Sequence, residues 1–211
     1  MVYWCNPFHE NNLPVFFVTQ LQQVRHDRRN PEKMSSFLIL IGYRATGKTT
    51  LARMLGERLH LDTVDTDPLV EQKAGWTITE IFAKLGEQAF RDYESQVIAE
   101  LLRGQPLVIA TGGGLPVRPA NRELLKRAGR IVWLKASPET ILRRMSGDPA
   151  TARMRPQLTS LPPLAEIAHV LNERTPIYHE TADLEVDTDE VTLPELADRI
   201  VNWFRWNGVA V

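Results

Sequence analysis

The first residues that could carry chemistry are Gly42–Thr49, whose sequence GYRATGKT fits the pattern G-x-x-x-x-G-K-[ST]. Glycines let the backbone curl so that its N–H groups point at phosphate oxygens. Lys48 adds a positive charge, and the Thr49 hydroxyl can bind Mg²⁺. A simple strand-to-helix turn would need the glycines but not the Lys-Thr pair. The sequence therefore predicts a nucleotide site, for which we name Ala45, Thr46, Gly47, Lys48, Thr49 and Thr50.

Two further polar stretches follow short apolar runs. Asp65-Thr66-Asp67 follows one run, and Thr111–Gly114 follows the next. In an open α/β sheet, both would lie at the same edge as the phosphate loop. Two carboxylates beside a triphosphate indicate a metal and a hydroxyl-bearing substrate between them. The alternatives are that the aspartates cap a helix before Pro68 and that the glycines form a flexible turn.

The rest of the chain predicts the elements that position these residues. The predicted strands are Phe37–Ile41, Thr63–Asp65, Pro106–Ala110, Arg130–Leu134 and Asp183–Val186. The predicted helices are Lys48–His60, a helix from the capping box Thr77–Glu80 to Gly86, Glu87–Arg103, Arg118–Ala128, Pro138 to about Ser146, Pro163–Thr175 and Pro194–Trp206. Alternating strands and helices predict an α/β fold with a parallel sheet. Residues 147–163 lack a period, and a loop of that length is often a lid.

Composition excludes several classes of function. The 211 residues carry a net charge of −1, so bulk binding to nucleic acid or to an anionic membrane is not expected. Cys5 is the only cysteine, which fits a reducing cytoplasm. The five histidines show no zinc-ligand spacing, and no apolar run approaches the roughly 20 residues of a membrane helix.

Several motifs in this order resemble the shikimate kinase family, of the nucleoside-monophosphate-kinase-like P-loop group. They are GYRATGKTT, VDTD, GEQAFRDYE, ATGGG and RTPIY, with RMRP in the lid region. The resemblance covers Phe37 to about Phe204. It implies a three-layer P-loop kinase fold, with a five-stranded parallel sheet, helices on both faces and a lid at about residues 146–163. We expect residues 35–211 to form this domain and residues 1–34 to be a poorly ordered or peripheral extension. Met34 is an alternative start.

The resemblance also implies roles for individual residues. Asp67 matches the aspartate that binds the shikimate hydroxyls, and Asp65 matches the one that holds Mg²⁺, with Thr49 as the direct metal ligand. Lys48 would steady the β- and γ-phosphates. Arg91 and Arg174 match the arginines that bind the shikimate carboxylate. Glu94 would orient Arg91, and Gly113, between Gly112 and Gly114, matches a backbone contact to the substrate.

In the lid, Arg155 matches a catalytic arginine that contacts ATP, Arg144 matches the residue that stacks on adenine, and Arg153 is a second candidate. More ordinary roles are open to these residues. Arg91 could form an exposed salt bridge with Glu87 or Glu94, and Arg174 could be a cation at a helix C-terminus. The lid arginines could lie in a solvated loop. Ala45 stands where many members carry glycine, and its methyl is tolerable if the backbone there is not left-handed.

The activity implied by the resemblance is ATP-dependent phosphorylation of the 3-hydroxyl of shikimate. ATP would be the co-substrate and Mg²⁺ the cofactor, in a cytoplasmic monomer that binds small molecules but neither nucleic acid nor membrane. The alternatives are another sugar-acid kinase, such as a gluconate kinase, and a catalytically silent nucleotide-binding relative.

Overall fold

The computed structural model of the chain describes residues 37–147 and 161–208. Helices and strands alternate along this part of the chain, as predicted. The strands are β1 (Phe37–Ile41), β2 (Thr63–Asp65), β3 (Val108–Ala110), β4 (Gly129–Lys135) and β5 (Leu184–Asp187). The helices are α1 (Lys48–Leu59), α2 (Thr66–Ala74), α3 (Ile78–Leu101), α4 (Pro119–Ala128), α5 (Pro138–Gly147), α6 (Pro163–Thr181) and α7 (Leu193–Gly208), with a 3₁₀ turn at Leu115–Val117.

The five strands form one parallel sheet in the order β2-β3-β1-β4-β5. This confirms the predicted five-stranded parallel sheet. Because the strands are parallel, their carboxyl ends all lie at one edge. The glycine loop after β1, the aspartates at the end of β2 and the glycine triplet after β3 therefore meet there.

The sheet is buried on both faces, and strand periodicity divides its side chains between two cores. Phe37, Ile39 and Ile41 of β1 pack in one core with side chains from α2, α3, α4 and α6. Leu38 and Leu40 pack in the other, with side chains from α1 and α7. Successive side chains of a strand point to opposite faces, so a continuous apolar run such as FLILI supplies both cores. The result is the predicted three-layer arrangement.

Helix α6 is longer than predicted. The sequence predicted an end at Thr175, and the next residue is Pro176, which lacks the N–H that a helix interior needs. The helix instead continues through Pro176 to Thr181. Tyr178 and Thr181 beyond the proline are buried, so tertiary packing outweighs the lost hydrogen bond.

Two helices near residues 66–101 can be compared with the predictions made from local sequence patterns. Helix α2 was suggested only by the alternative in which the aspartates cap a helix before Pro68, and it begins directly after the three-residue strand β2. The capping box predicted at Thr77 and Glu80 is present at the start of α3. Gly86 was predicted to end that helix, and it does interrupt it, with φ 83° and ψ 172°, before helical structure resumes.

Several predictions lie outside the described residues. These are the extension at residues 1–34, the greater part of the lid and the lid arginines Arg153 and Arg155. Within residues 37–147 and 161–208, no helix is both long and apolar enough to cross a bilayer.

Gly129, the first residue of β4, offers a test of the sheet. It pairs with Phe37 of β1, and a Cβ added at Gly129 would lie 2.0 Å from the Phe37 carbonyl oxygen. We expect Gly129→Ala to lower the free energy of unfolding by about 2–3 kcal/mol, because backbone must move to admit the methyl group. Urea denaturation measures this. Gly147→Ala is the control, since a Cβ there meets nothing within 4 Å. Equal unfolding midpoints for the two variants would contradict the expectation.

Candidate active site

The loop between β1 and α1 has the backbone conformation that its glycines suggest. Gly42 and Gly47 have φ values of 138° and 94°, which L-residues with a side chain rarely adopt. Lys48 begins α1, and its side chain folds back over the loop: its Nζ donates to the Tyr43 carbonyl oxygen at 2.5 Å. The Thr46 hydroxyl donates to the same carbonyl at 2.8 Å. The loop is thus held closed by its own polar groups, with the N-terminus of α1 at its centre.

The Ala45 methyl group was expected to be tolerable only if the backbone there is not left-handed, and this condition is not met. The φ of Ala45 is 61°, so the backbone there is left-handed. A Cβ in this conformation crowds the following carbonyl oxygen and costs roughly 1–2 kcal/mol. The loop therefore carries local strain at a residue that lines the cleft beside it.

We expect Ala45→Gly to raise the free energy of unfolding by up to about 1 kcal/mol. Relief of the left-handed strain exceeds the extra chain entropy that glycine brings to the unfolded state. Chemical denaturation measures the change. Ala128→Gly is the matched control, because Ala128 lies in the last turn of α4 with ordinary helical backbone. That substitution should destabilise by up to about 1 kcal/mol. If both variants were less stable than the wild type, the left-handed backbone at Ala45 would not destabilise the folded protein.

The aspartates after β2 have different roles. Asp65 caps α2, because its Oδ1 accepts the N–H of Asp67 at 3.0 Å. Its Oδ2 accepts the Thr49 hydroxyl at 2.5 Å. The capping alternative therefore holds for Asp65, two residues earlier than the position before Pro68 that the sequence suggested. Asp67 lies in the first turn of α2 and lines the cleft, so its carboxylate is not used as the cap.

The Thr49–Asp65 pair has oxygen donors suited to Mg²⁺. The Thr49 proton is directed at Asp65, which leaves the lone pairs of Thr49 Oγ1 available to a cation. Hydroxyl and carboxylate oxygens are the ligands this hard ion prefers. Within the described part of the chain, no group of three or more His, Cys, Asp or Glu side chains could hold a metal. Mg²⁺ bound with a nucleotide does not need one, because waters and phosphates complete its coordination.

A cleft of about 720 Å³ opens at the carboxyl edge of the sheet. It brings together nine of the residues predicted from sequence: Ala45, Gly47, Lys48, Thr49, Thr50, Asp65, Asp67, Gly113 and Arg144. Thr46 instead lines a separate cavity of about 500 Å³ with Tyr43. The cleft is thus lined by a cationic phosphate loop, by carboxylates and by glycine backbone.

Arg91 lies in α3 and is buried. The alternative considered from sequence was an exposed salt bridge with Glu87 or Glu94. Arg91 Nη1 donates to Glu94 at 2.6 Å and its Nη2 to Glu87 at 2.7 Å. The guanidinium also packs against the glycine triplet: a Cβ on Gly114 would lie 2.1 Å from Nη1. The helix salt bridges therefore do form, and they hold the guanidinium against the loop after β3.

The electrostatics of this cluster keep Arg91 charged. Burial alone would lower the pKa of Arg91, but the charges and hydrogen bonds of Glu94 and Glu87 outweigh it and raise the pKa above its ordinary value. The carboxylates engage Nε, Nη1 and Nη2 through one N–H each. An arginine has five N–H donors, so two remain for a further anion.

Arg174 lies in α6, one turn before Tyr178, and is not among the residues that line the cleft. It is partly exposed and makes no hydrogen bond or ion pair with any described residue. One turn later, the Tyr178 hydroxyl donates to the Gly113 carbonyl oxygen at 2.5 Å. Adjacent residues of the glycine triplet therefore contact α3 through Arg91 and α6 through Tyr178.

A family model described as shikimate kinase matches residues 44–205. This chain belongs to the shikimate kinase family. The Rhodopirellula baltica shikimate kinase is 40% identical over 172 residues, which cover 82% of this chain and 92% of that protein. The Pseudomonas putida shikimate kinase is 43% identical over 153 residues, covering 72% and 87%. A solved shikimate kinase from Acinetobacter baumannii, in complex with shikimate, superimposes with a TM-score of 0.77 at 34% identity, covering 84% of this chain and 97% of that one.

Membership of the shikimate kinase family confirms the resemblance and the fold class predicted from sequence. It makes the chain a kinase with a hydroxyl acceptor and with ATP as co-substrate. Because the matched relatives are covered over most of their length, this assignment applies to the whole domain.

Arg144, matched to the adenine-stacking residue of shikimate kinases, is held at the end of α5. Its Nη2 donates to the Thr188 carbonyl oxygen at 2.6 Å, and its Nη1 to the Thr188 hydroxyl at 2.9 Å and the Ala45 carbonyl oxygen at 3.5 Å. These contacts place the guanidinium beside the phosphate loop, where it lines the cleft.

Sequence reasoning missed three residues that support the shikimate kinase site. Thr66 accepts the Gly112 N–H at 2.8 Å and so ties the glycine triplet to α2. Tyr178 ties the triplet to α6. Arg44 of the phosphate loop pairs with the buried Glu166 of α6 at 3.5 Å. All three lie inside quoted motifs, with Thr66 in VDTD, Tyr178 in RTPIY and Arg44 in GYRATGKTT, but no role was assigned to them.

Proposed function

We propose that this chain transfers the γ-phosphoryl group of ATP to the 3-hydroxyl of shikimate, giving shikimate 3-phosphate and ADP. The observation that carries the proposal is that one cleft is lined by Lys48, Asp67 and Gly113, which the family resemblance assigns to phosphate, hydroxyl and substrate backbone contacts. Family membership favours this activity over a gluconate kinase.

The reaction needs positioning and charge stabilisation more than covalent help from the protein. The loop N–H groups and Lys48 would hold the phosphates. The shikimate oxygen would attack the γ-phosphorus as the bond to the ADP oxygen breaks. Asp67 would orient the hydroxyl group and accept its proton. Arg155 would add positive charge at the transferring group, as the resemblance implies.

The substrate carboxylate would be bound by Arg91 and Arg174. Arg91 has two N–H donors beyond those that Glu87 and Glu94 engage, and a guanidinium can bind a carboxylate through two parallel hydrogen bonds. Glu94 fixes the orientation of Arg91. The Gly113 backbone would contact the ring, with Gly112 and Gly114 keeping side chains away from it.

Mg²⁺ would be held by Thr49 directly and by Asp65 through water. When bound, it would neutralise charge on the β- and γ-phosphates. The chain would act as a monomer in the cytoplasm, with ATP and shikimate as its partners, on the route to chorismate and aromatic amino acids.

ADP release coupled to NADH oxidation tests the proposal. Full-length protein is assayed with MgATP and shikimate, beside gluconate, quinate and no acceptor. Turnover with shikimate alone is the expected result. Turnover with another acid alone would overturn the substrate assignment but leave the nucleotide site. No turnover with any acceptor, in a protein that binds ATP, would favour the silent relative.

A further inference from the structure

The Tyr178 hydroxyl group links helix α6 to the glycine triplet after β3. Tyr178 is fully buried, and its ring packs against Trp133 of β4 with centroids 5.6 Å apart. Its hydroxyl donates to the Gly113 carbonyl oxygen at 2.5 Å. A phenylalanine could fill the same space against Trp133, so packing alone does not explain the hydroxyl group.

The acceptor of this hydrogen bond belongs to the peptide group between Gly113 and Gly114, and Gly113 lines the cleft. In a trans peptide, the Gly113 carbonyl and the Gly114 N–H point in opposite directions. Fixing the carbonyl therefore fixes the direction of that N–H. Within the described residues, the N–H groups of Gly113 and Gly114 have no acceptor, although both residues are buried. Buried N–H groups normally find a partner, so these two are suited to a ligand.

The donor lies on the helix that carries Arg174. Residues four apart in a helix lie on the same face, one turn from each other. Between them stands Pro176, which cannot donate to the Asn172 carbonyl, so this turn lacks one of its own hydrogen bonds. The hydrogen bond from the Tyr178 hydroxyl group to Gly113 holds the end of this turn in place and so offsets the missing helix hydrogen bond. One hydroxyl group thus sets Arg174 and the Gly113–Gly114 peptide relative to each other.

We infer that Tyr178 is a positioning residue for the acceptor substrate, acting through Gly113 on one side and Arg174 on the other. The inference rests on the proposed function, in which both groups bind shikimate. The hydroxyl group of Tyr178 hydrogen-bonds to the glycine triplet, whereas Lys48 bonds to Tyr43, Thr49 to Asp65 and Asp65 to the Asp67 backbone. Loss of the Tyr178 hydroxyl group therefore removes none of these bonds in the nucleotide half of the cleft.

Steady-state kinetics of Tyr178→Phe test the inference. We expect KM for shikimate to rise about tenfold, because small misplacements of binding groups have large effects, while KM for MgATP changes less than twofold. Thr181→Val is the matched control. It removes another buried hydroxyl bond of the same helix, from Thr181 to the Ile177 carbonyl oxygen, but one that stays within α6. It should leave both KM values unchanged. An unchanged KM for shikimate in Tyr178→Phe, or equal rises for both substrates, would overturn the inference.

A second measurement does not depend on the identity of the substrate. Amide hydrogen exchange of the ligand-free protein reports on the 110–116 segment directly. Tyr178→Phe should speed exchange there relative to wild type, whereas Thr181→Val should not. Unchanged exchange would overturn the inference even if the wild type phosphorylated another acceptor. Failure of the wild type to use shikimate, with faster exchange in Tyr178→Phe, would instead count against the proposed function alone.

Discussion

Asp67→Asn is expected to lower kcat for shikimate phosphorylation by about 10²–10⁴-fold, the usual contribution of a positioned acid–base group. Asparagine keeps the shape of the side chain but loses its charge and its capacity to accept the hydroxyl proton. The fold should survive, because Asp65 rather than Asp67 caps α2 through the Asp67 backbone N–H. The dissociation constant for MgATP should change less than twofold. Coupled ADP release and calorimetric titration with MgATP measure the two quantities.

Asp62→Asn is the matched control for this variant. It makes the same change in charge five residues earlier, at an exposed residue just before β2 that does not line the cleft. Its kcat should equal that of the wild type. An Asp67→Asn enzyme with near wild-type kcat would remove the proposed catalytic residue and, with it, the assigned orientation of the substrate.

Lys48→Met is expected to weaken both nucleotide binding and turnover, with kcat/KM for ATP reduced on the order of 10³-fold. Methionine approximates the length of lysine but has no charge to offer the phosphates. It also leaves the Tyr43 carbonyl oxygen without the Nζ donor, so the loop loses an internal support. Because Lys48 is only 8% exposed, water cannot readily replace that donor. Steady-state kinetics with varied MgATP and titration with the nucleotide separate the two effects.

Lys126→Met provides the comparison for Lys48→Met. Lys126 lies near the end of α4, which leads to the amino end of β4, and pairs with Glu180 at 3.6 Å on an exposed surface. Such pairs contribute little, so this variant should keep wild-type kinetics. If Lys48→Met lost turnover but bound MgATP normally, the loop-support role of the Nζ group would be wrong.

The sequence predicted the fold well where its signals were local and repeated. The strand Phe37–Ile41 and the start of the helix at Lys48 were placed correctly. A continuous apolar run indicates a strand buried on both faces, and apolar residues at helical spacing indicate a helix, so both patterns can be recognised within a short stretch of sequence. The capping box at Thr77 was equally readable. Order along the chain then fixed the parallel sheet, and with it the shared edge where the motifs meet.

The details that escaped prediction depend on contacts between distant residues. The end of α6 was misjudged because the buried environment of Tyr178 and Thr181 cannot be seen from Pro176. The left-handed backbone at Ala45 is set by the geometry of the whole loop rather than by alanine itself. The tie from Tyr178 to Gly113 spans 65 residues, and no periodic signal reports it.

The ion pair between Arg44 and Glu166 bears on how the phosphate loop can evolve. Position 44 is one of the variable positions in G-x-x-x-x-G-K-[ST], and phosphate binding places no requirement on its side chain. In this protein the side chain pairs with a buried carboxylate 122 residues away. Drift at position 44 to an uncharged residue would remove this ion pair with Glu166. A position that the motif leaves open is thereby coupled to a helix outside the motif.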